Sequence, residues 1–236
     1  MALARGTVGS TYRAGIDSLP RVTAEIVDCR LCPRLVAWRE KVAVEKRASF
    51  ADEEYWGRPA PGFGDPAARL LVVGLAPAAH GANRTGRVFT GDRSGDWLFR
   101  SMWKTGWANQ PTSVSRDDGL QLHGAYVAAA VRCAPPANKP LPDERDRCLP
   151  YLVREWALLT ELRVVMVLGS FAYQVVSSMV GLKGRPKFGH GVEATLPDGK
   201  TLICSYHPSQ QNTFTGTLTE PMLDAVFERA AQISNR

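Results

Sequence analysis

The sequence predicts an α/β fold, a doubly wound α/β/α sandwich, and two observations predict it. Short apolar runs recur at 69–75 (RLLVVGL), 125–131 (AYVAAAV), 163–168 (RVVMVL) and 201–206 (TLICSY). They are continuous rather than alternating, as strands covered by helices on both faces are. Helical patterns fall at about 94–105, 143–160 and 171–181, with another at 219–234 after the last strand. Strand alternating with helix over this length builds a parallel sheet between two helical layers.

The remaining elements follow from local chemistry. Residues 1–18 are polar and without periodicity and are expected to form a mobile tail, which leaves 19–236 as a single domain. From Pro20 to about Asp28 a helical pattern leads into Cys29-Arg30-Leu31-Cys32-Pro33, and residues 34–48 carry apolar side chains at helical intervals among charges, as a surface helix does. YWGRPAPGFGDPAA (55–68) is too rich in proline and glycine to be anything but loop. Before the last strand, Asp198-Gly199 is a two-residue turn signal for a hairpin within GVEATLPDGKTLICS (191–205). No internal repeat is present.

The bulk numbers narrow the functional classes. A chain of 236 residues with 44% hydrophobic and 22% charged residues is an ordinary globular composition. It contains no apolar run of the ~18–20 residues that a membrane span needs, and the start, MALARGTVGSTYRAG, has no apolar signal region. The expectation is a monomer in the cytoplasm, associated with the nucleoid when acting on DNA. The net charge of +6 and a pI near 9.2 favour a polyanionic partner. Nine Lys/Arg against five Asp/Glu place +4 of that charge in residues 1–50.

In an open parallel sheet, ligands bind beyond the carboxyl ends of the strands. The segments richest in chemistry follow the first, second and fourth strands: GLAPAAHGANRTGRVFTGD (74–92), CAPPANKPLPDE (133–144) and HPSQQNTF (207–214). Three loops distant in sequence are thus expected over one crevice. In the first, Gly74 with Ala76 and Ala78 gives a ligand room to approach the backbone; Arg84 and Arg87 suit phosphate; His80 shares the crevice. Phe89 reads either as core or as a face on which a base stacks. Asp92 reads either as a functional carboxylate or as the N-cap of the helix beginning near Ser94. With no GxxxxGK[ST] and no GxGxxG, a bound nucleotide cofactor is not expected. In the second loop, Asn138 can donate and accept at a base edge or a water, or simply turn the chain. In the third, His207 is pinned by Pro208 at a strand end and reads either as a satisfied surface or core residue or as a group doing acid–base or hydrogen-bonding work.

Five cysteines in a chain without a secretory signal point to a metal site or reactive thiols rather than disulfides. Cys29 and Cys32 form a CxxC pair, and Cys133 and Cys148 stand apart from it. Four thiolates suffice for tetrahedral zinc or for an iron–sulfur cubane; a redox CxxC with two free thiols is the alternative. Cys204 falls inside the last strand, as a small apolar residue.

CRLCPRLVAWRE, PGFGDPAARLLVVGLAPAAHGANRTGRVFTGDRSG, CAPPANKPLPDERDRC, LGSFAY and YHPSQQNTFTG, in this order from about residue 19 to 230, together resemble the family 5 (type b) uracil-DNA glycosylases. The resemblance implies a four-stranded parallel sheet between helices. It also implies a 4Fe-4S cluster on Cys29, Cys32, Cys133 and Cys148, and excision of uracil, with hypoxanthine and ethenocytosine, from double-stranded DNA. It implicates Asp92, Asn138 and His207 as the catalytic polar groups. Sister families carry a carboxylate in the first motif where Leu75 and Ala76 stand here, and an asparagine at about Ala129. On this reading Phe89 stacks on the flipped base. Arg84, Arg87 and Lys139 contact phosphates, and the segment 209–216, with Ser209, Gln210, Gln211 and Asn212, enters the duplex and fills the gap. The rival functions are a non-catalytic nucleic-acid module with structural zinc and a hydrolase of free nucleosides.

Overall fold

The computed structural model describes residues 17–235. Ser18 caps the first helix, α1 (Leu19–Val27), by accepting from Arg21 N at 3.3 Å, and Pro20 opens it. Most of the expected tail lies outside the described residues. Asp17 and Ser18, assigned to it, belong instead to the folded body, because Asp17 accepts two hydrogen bonds of 2.8 Å from Arg154. Helix α2 (Pro33–Glu45) follows, and then β1 (Phe63–Gly64), β2 (Leu70–Gly74), the short α3 (Ala82–Thr85), α4 (Arg93–Lys104) and β3 (Ala125–Ala129). The second half holds α5 (Pro142–Leu158), β4 (Val164–Leu168), α6 (Ser170–Met179), β5 (Glu193–Thr195), β6 (Thr201–Ser205), α7 (Gln210–Phe214) and α8 (Glu220–Ser234).

Among the described residues the sheet has six strands in the order β1-β3-β2-β4-β6-β5, which corrects the expected four. The four expected strands are its inner ones, mutually parallel, and two short antiparallel strands border them. At one edge, the hairpin at Asp198-Gly199 supplies β5. At the other, Phe63 and Gly64 pair with Val127 and Tyr126, a strand too short to be visible in a proline- and glycine-rich stretch. Gly64 has φ +140, and a Cβ there would meet the backbone of Ala125 and Tyr126, so the close pairing requires glycine.

Alternation along the inner strands divides the core into two layers. Leu70, Val72, Val127, Val164, Met166 and Ile203 face α4 and α8, through Leu98, Phe99, Met102, Val226 and Phe227. Leu71, Val73, Ala128, Val165, Val167 and Leu202 face α5 and α6, through Leu152, Leu159, Val175 and Val176. Each of these strand residues is fully buried, which explains their continuous apolarity. Each large one stabilises the fold by ~1.5–3 kcal/mol relative to exposure. Because β2 has β3 on one side and β4 on the other, the chain reverses its winding at β2, and its carboxyl end opens a crevice there. No helix among the described residues is long and apolar enough to cross a membrane.

Candidate active site

A cavity of about 510 Å³ occupies this crevice. Leu75, Ala76, Ala78, Phe89 and Asp92 line it from the segment after β2. Ala129 and Asn138 line it from the end of β3 and beyond, and His207, Ser209, Gln210 and Gln211 from the segment after β6. The three loops expected to meet do meet.

Phe89 is held under strain. Its φ is +55, and Gly95 passes so close to its carbonyl that a Cβ there would overlap the oxygen. Its ring rests on Gly74, where a Cβ would come within 2.5 Å of Cζ. Gly74 therefore makes space for the aromatic ring and does not itself line the cavity. The Phe89 ring lies 5.8 Å from that of His207, tilted by 34°. The two form one wall of a slot suited to a flat, partly apolar ligand.

His207 follows β6 at the strand's carboxyl end. Burial pushes its imidazole down to about 4, so the ring is neutral near pH 7. Its ring nitrogens have no hydrogen-bond partner among the described residues, while its backbone carbonyl accepts from Asn212 Nδ2 at 2.8 Å. Asn212 thus holds the histidine in place rather than lining the cavity. Ser209 caps α7, accepting from Asn212 N at 3.3 Å.

Asp92 fulfils both readings of the sequence. Its Oδ1 accepts from Gly95 N at 3.0 Å and caps α4, and the same carboxylate lines the cavity. Burial raises its pKa, and backbone N–H groups of Gly95 and Ser94 only partly oppose that shift. Asn138 sits with Ala137 in a left-handed pair, φ +55 and +52, a conformation asparagine tolerates. This turns its exposed amide to the cavity.

Three expectations are corrected. His80 does not line the cavity; its Nδ1 pairs with the Tyr55 hydroxyl at 3.0 Å. Arg84 is buried and pairs with Glu53, while donating to the carbonyls of His80 and Gly91 at 2.9 Å. Arg87 is buried and paired with Asp118, its Nη2 donating to both carboxylate oxygens at 2.8 Å. Neither arginine is available to phosphate. Lys139, by contrast, is exposed beside Asn138 and has no ion-pair partner among the described residues. Arg93 and Ser94, not among the expected site residues, also line the cavity, and within the 209–216 segment Phe214 is 66% exposed with Arg93 Cζ 4.3 Å from its ring centroid. Position N1 after the Asp92 cap, at the crevice end of α4, was the signal for Arg93.

The cysteines converge as well. Cys32, Cys133 and Cys148 are buried together with Leu35 and Val131, against Ala76 of the cavity wall. Cys29 is close enough to influence both Cys133 and Cys148 electrostatically. Burial pushes Cys133 up to about 12 and Cys148 up to about 11. Arg39 donates to Cys133 Sγ at 3.0 Å, and Arg132 N to Cys148 Sγ at 3.5 Å. Cys204 is buried in the α5–α6 layer, apart from them.

The family model of the uracil DNA glycosylase superfamily matches residues 61–231. The chain is 52% identical to a type-5 uracil-DNA glycosylase of Mycobacterium leprae, covering 93% of this chain and 97% of the relative. It is 51% identical to one of Thermus thermophilus, covering 87% and 94%, and 45% identical to one of Pyrobaculum aerophilum, covering 87% and 89%. With this identity along nearly the whole length, the chain belongs to the type-5 uracil-DNA glycosylases of that superfamily.

Proposed function

We propose that this enzyme flips uracil out of double-stranded DNA into the cavity beyond β2, β3 and β6 and hydrolyses its N-glycosidic bond, leaving an abasic site. The observation that carries this reading is the meeting of four groups over one cavity: the Phe89 ring, the neutral His207 imidazole, the Asn138 amide and the Asp92 carboxylate. Extrusion costs a few kcal/mol of unstacking, which stacking on Phe89 offsets in part, since a base–aromatic stack is worth ~1–3 kcal/mol.

As the bond breaks, the base gathers negative charge and the sugar becomes cation-like. A neutral imidazole donates an N–H to the departing base without first surrendering a proton, and its unpaired nitrogens leave it free to do so. Asn138 orients the attacking water. Asp92, with one oxygen committed to Gly95, presents the rest of its carboxylate to the cationic sugar or takes the water's proton. Its raised pKa makes it a better acceptor than an ordinary aspartate. Leu75, Ala76 and Ala129 bring no polar group to the base, so the cavity has little with which to reject hypoxanthine or ethenocytosine. Lys139 and Arg93 contact phosphates, and the loop from Ser209 to Phe214 enters the space the base vacates.

The thiol set fits a 4Fe-4S cluster on Cys29, Cys32, Cys133 and Cys148. Without a metal the two most buried thiols are neutral, whereas Arg39 presents a cation to one of them, as suits a metal-bound thiolate. Among the described residues no group of such side chains is gathered tightly enough for a single ion. A cluster is larger than an ion and needs a wider cage. Its contribution is structural: it ties the turn between α1 and α2 to the end of β3 and to α5. Incubating the enzyme with a uracil-containing duplex and cleaving abasic sites with alkali tests the activity; an intact strand would refute it. Analysis of iron and sulfide tests the cluster.

A further inference from the structure

Among the described residues four arginines are buried: Arg39, Arg84, Arg87 and Arg132. Three of them meet a carboxylate, on Glu53, Asp118 and Glu155 respectively. Arg39, 2% exposed, has none among the described residues. Its Nη1 and Nη2 each donate to the carbonyl of Cys29 at 3.2 Å, and Nη1 also donates to Cys133 Sγ at 3.0 Å, while Nε is buried without a partner. A buried guanidinium without an ion pair is unfavourable unless negative charge lies against it, and the group it points to is the Cys133 sulfur.

We propose that Arg39 is a positioning residue for the iron–sulfur centre: it balances the centre's negative charge and hydrogen-bonds the Cys133 thiolate, setting the reduction potential and protecting the centre from air. The inference rests on the cluster reading above. It follows from where the guanidinium points, toward sulfur and the backbone of a second cysteine, and from the lack of an ion pair to it among the described residues, Glu40 acting on it only at longer range. A cation and an N–H donor beside a cluster sulfur favour the reduced, more negative state and raise the potential.

The test uses the full chain purified without air, as wild type, Arg39→Lys, Arg39→Gln and Arg39→Met. Iron and sulfide content, the reduction potential and the rate of bleaching in air are measured. The neutral variants are expected to show a lower potential and several-fold faster bleaching, or to lose iron while remaining folded. Arg39→Lys restores most of the wild-type behaviour. Melting gives a second readout that a merely structural role would not invert. Arg39→Met melts lower than wild type when loaded, and higher after a chelator has stripped the iron, because the stripped wild type keeps an uncompensated charge. If one neutral variant fails to fold, the other decides. Loaded neutral variants with the wild-type potential and bleaching rate overturn the role of Arg39 and leave the cluster standing. A wild type free of iron overturns the cluster reading itself.

Discussion

Gly81 packs so closely on Asp92 that a Cβ at position 81 would overlap the carboxylate Oδ2 and come within 2.9 Å of its Cγ. One oxygen of Asp92 is fixed by Gly95 N, so the glycine defines where the other oxygen stands. Gly81→Ala therefore displaces the carboxylate without removing it. Misplacing a reacting group by about an ångström costs roughly a hundredfold in rate, and single-turnover excision of uracil should fall by about that factor. Asp92→Asn keeps an oxygen to cap α4 and removes the charge; it should lose activity while melting near wild type. Asp92→Ala loses the cap too and costs roughly 1 kcal/mol of stability. If Asp92→Asn retains the full rate, Asp92 is a helix cap only.

The buried imidazole of His207 makes a prediction about pH. Its folded pKa, about 4, lies below its ordinary value of 6.5, so the unfolded chain binds the extra proton first. Stability contributed by the neutral ring is fully present above about pH 6.5 and is lost as pH falls towards 4. Denaturant titrations of wild type should weaken over that window, and His207→Gln should weaken less. Excision by His207→Gln should drop ~10²–10³-fold at pH 7, the cost of removing one donor to a developing oxyanion. Equal steepness in the two proteins would show that the ring is not held neutral.

The inner sheet and the meeting of the three loops were legible because each rests on a local signal: a run buried on both faces, or a polar segment placed after such a run. The functions of Arg84 and Arg87 were not. Their carboxylates, Glu53 and Asp118, each lie 31 residues away, in opposite directions along the chain. A sequence shows a charge but not the distant partner that neutralises it. Asp92 was ambiguous for a different reason: capping and lining the cavity are compatible, and the fold uses one side chain for both.

The pairing of Arg84 and Arg87 changes which cations are proposed to hold DNA. Lys139→Ala and Arg93→Ala should each reduce the slope of log affinity against log salt by about one, with little change in melting. Arg87→Ala should behave in the opposite way. It leaves Asp118, 7% exposed, without its partner, and losing one member of a buried pair costs about 3–5 kcal/mol. Its salt slope should stay at the wild-type value in whatever protein remains folded. A reduced slope for Arg87→Ala, measured by fluorescence anisotropy, would mean that the Asp118 pair opens on DNA.

The breadth proposed for the base cavity rests on Ala129, the last residue of β3, which is 2% exposed and lines the cavity from the sheet side. An asparagine there would add a donor and an acceptor to a wall that otherwise has neither, and would take up space that a purine needs. Ala129→Asn is therefore expected to favour uracil over hypoxanthine and ethenocytosine. A site that pairs polar atoms with one base rejects another by leaving those atoms unsatisfied, at roughly 1–3 kcal/mol for each unmet group. The ratio of single-turnover rates on uracil and hypoxanthine duplexes should rise about tenfold or more, since every 1.4 kcal/mol is a factor of ten. The absolute uracil rate is expected to stay at or below that of wild type, because the added side chain must still pack beside Phe89. A ratio that does not change would place the base away from β3.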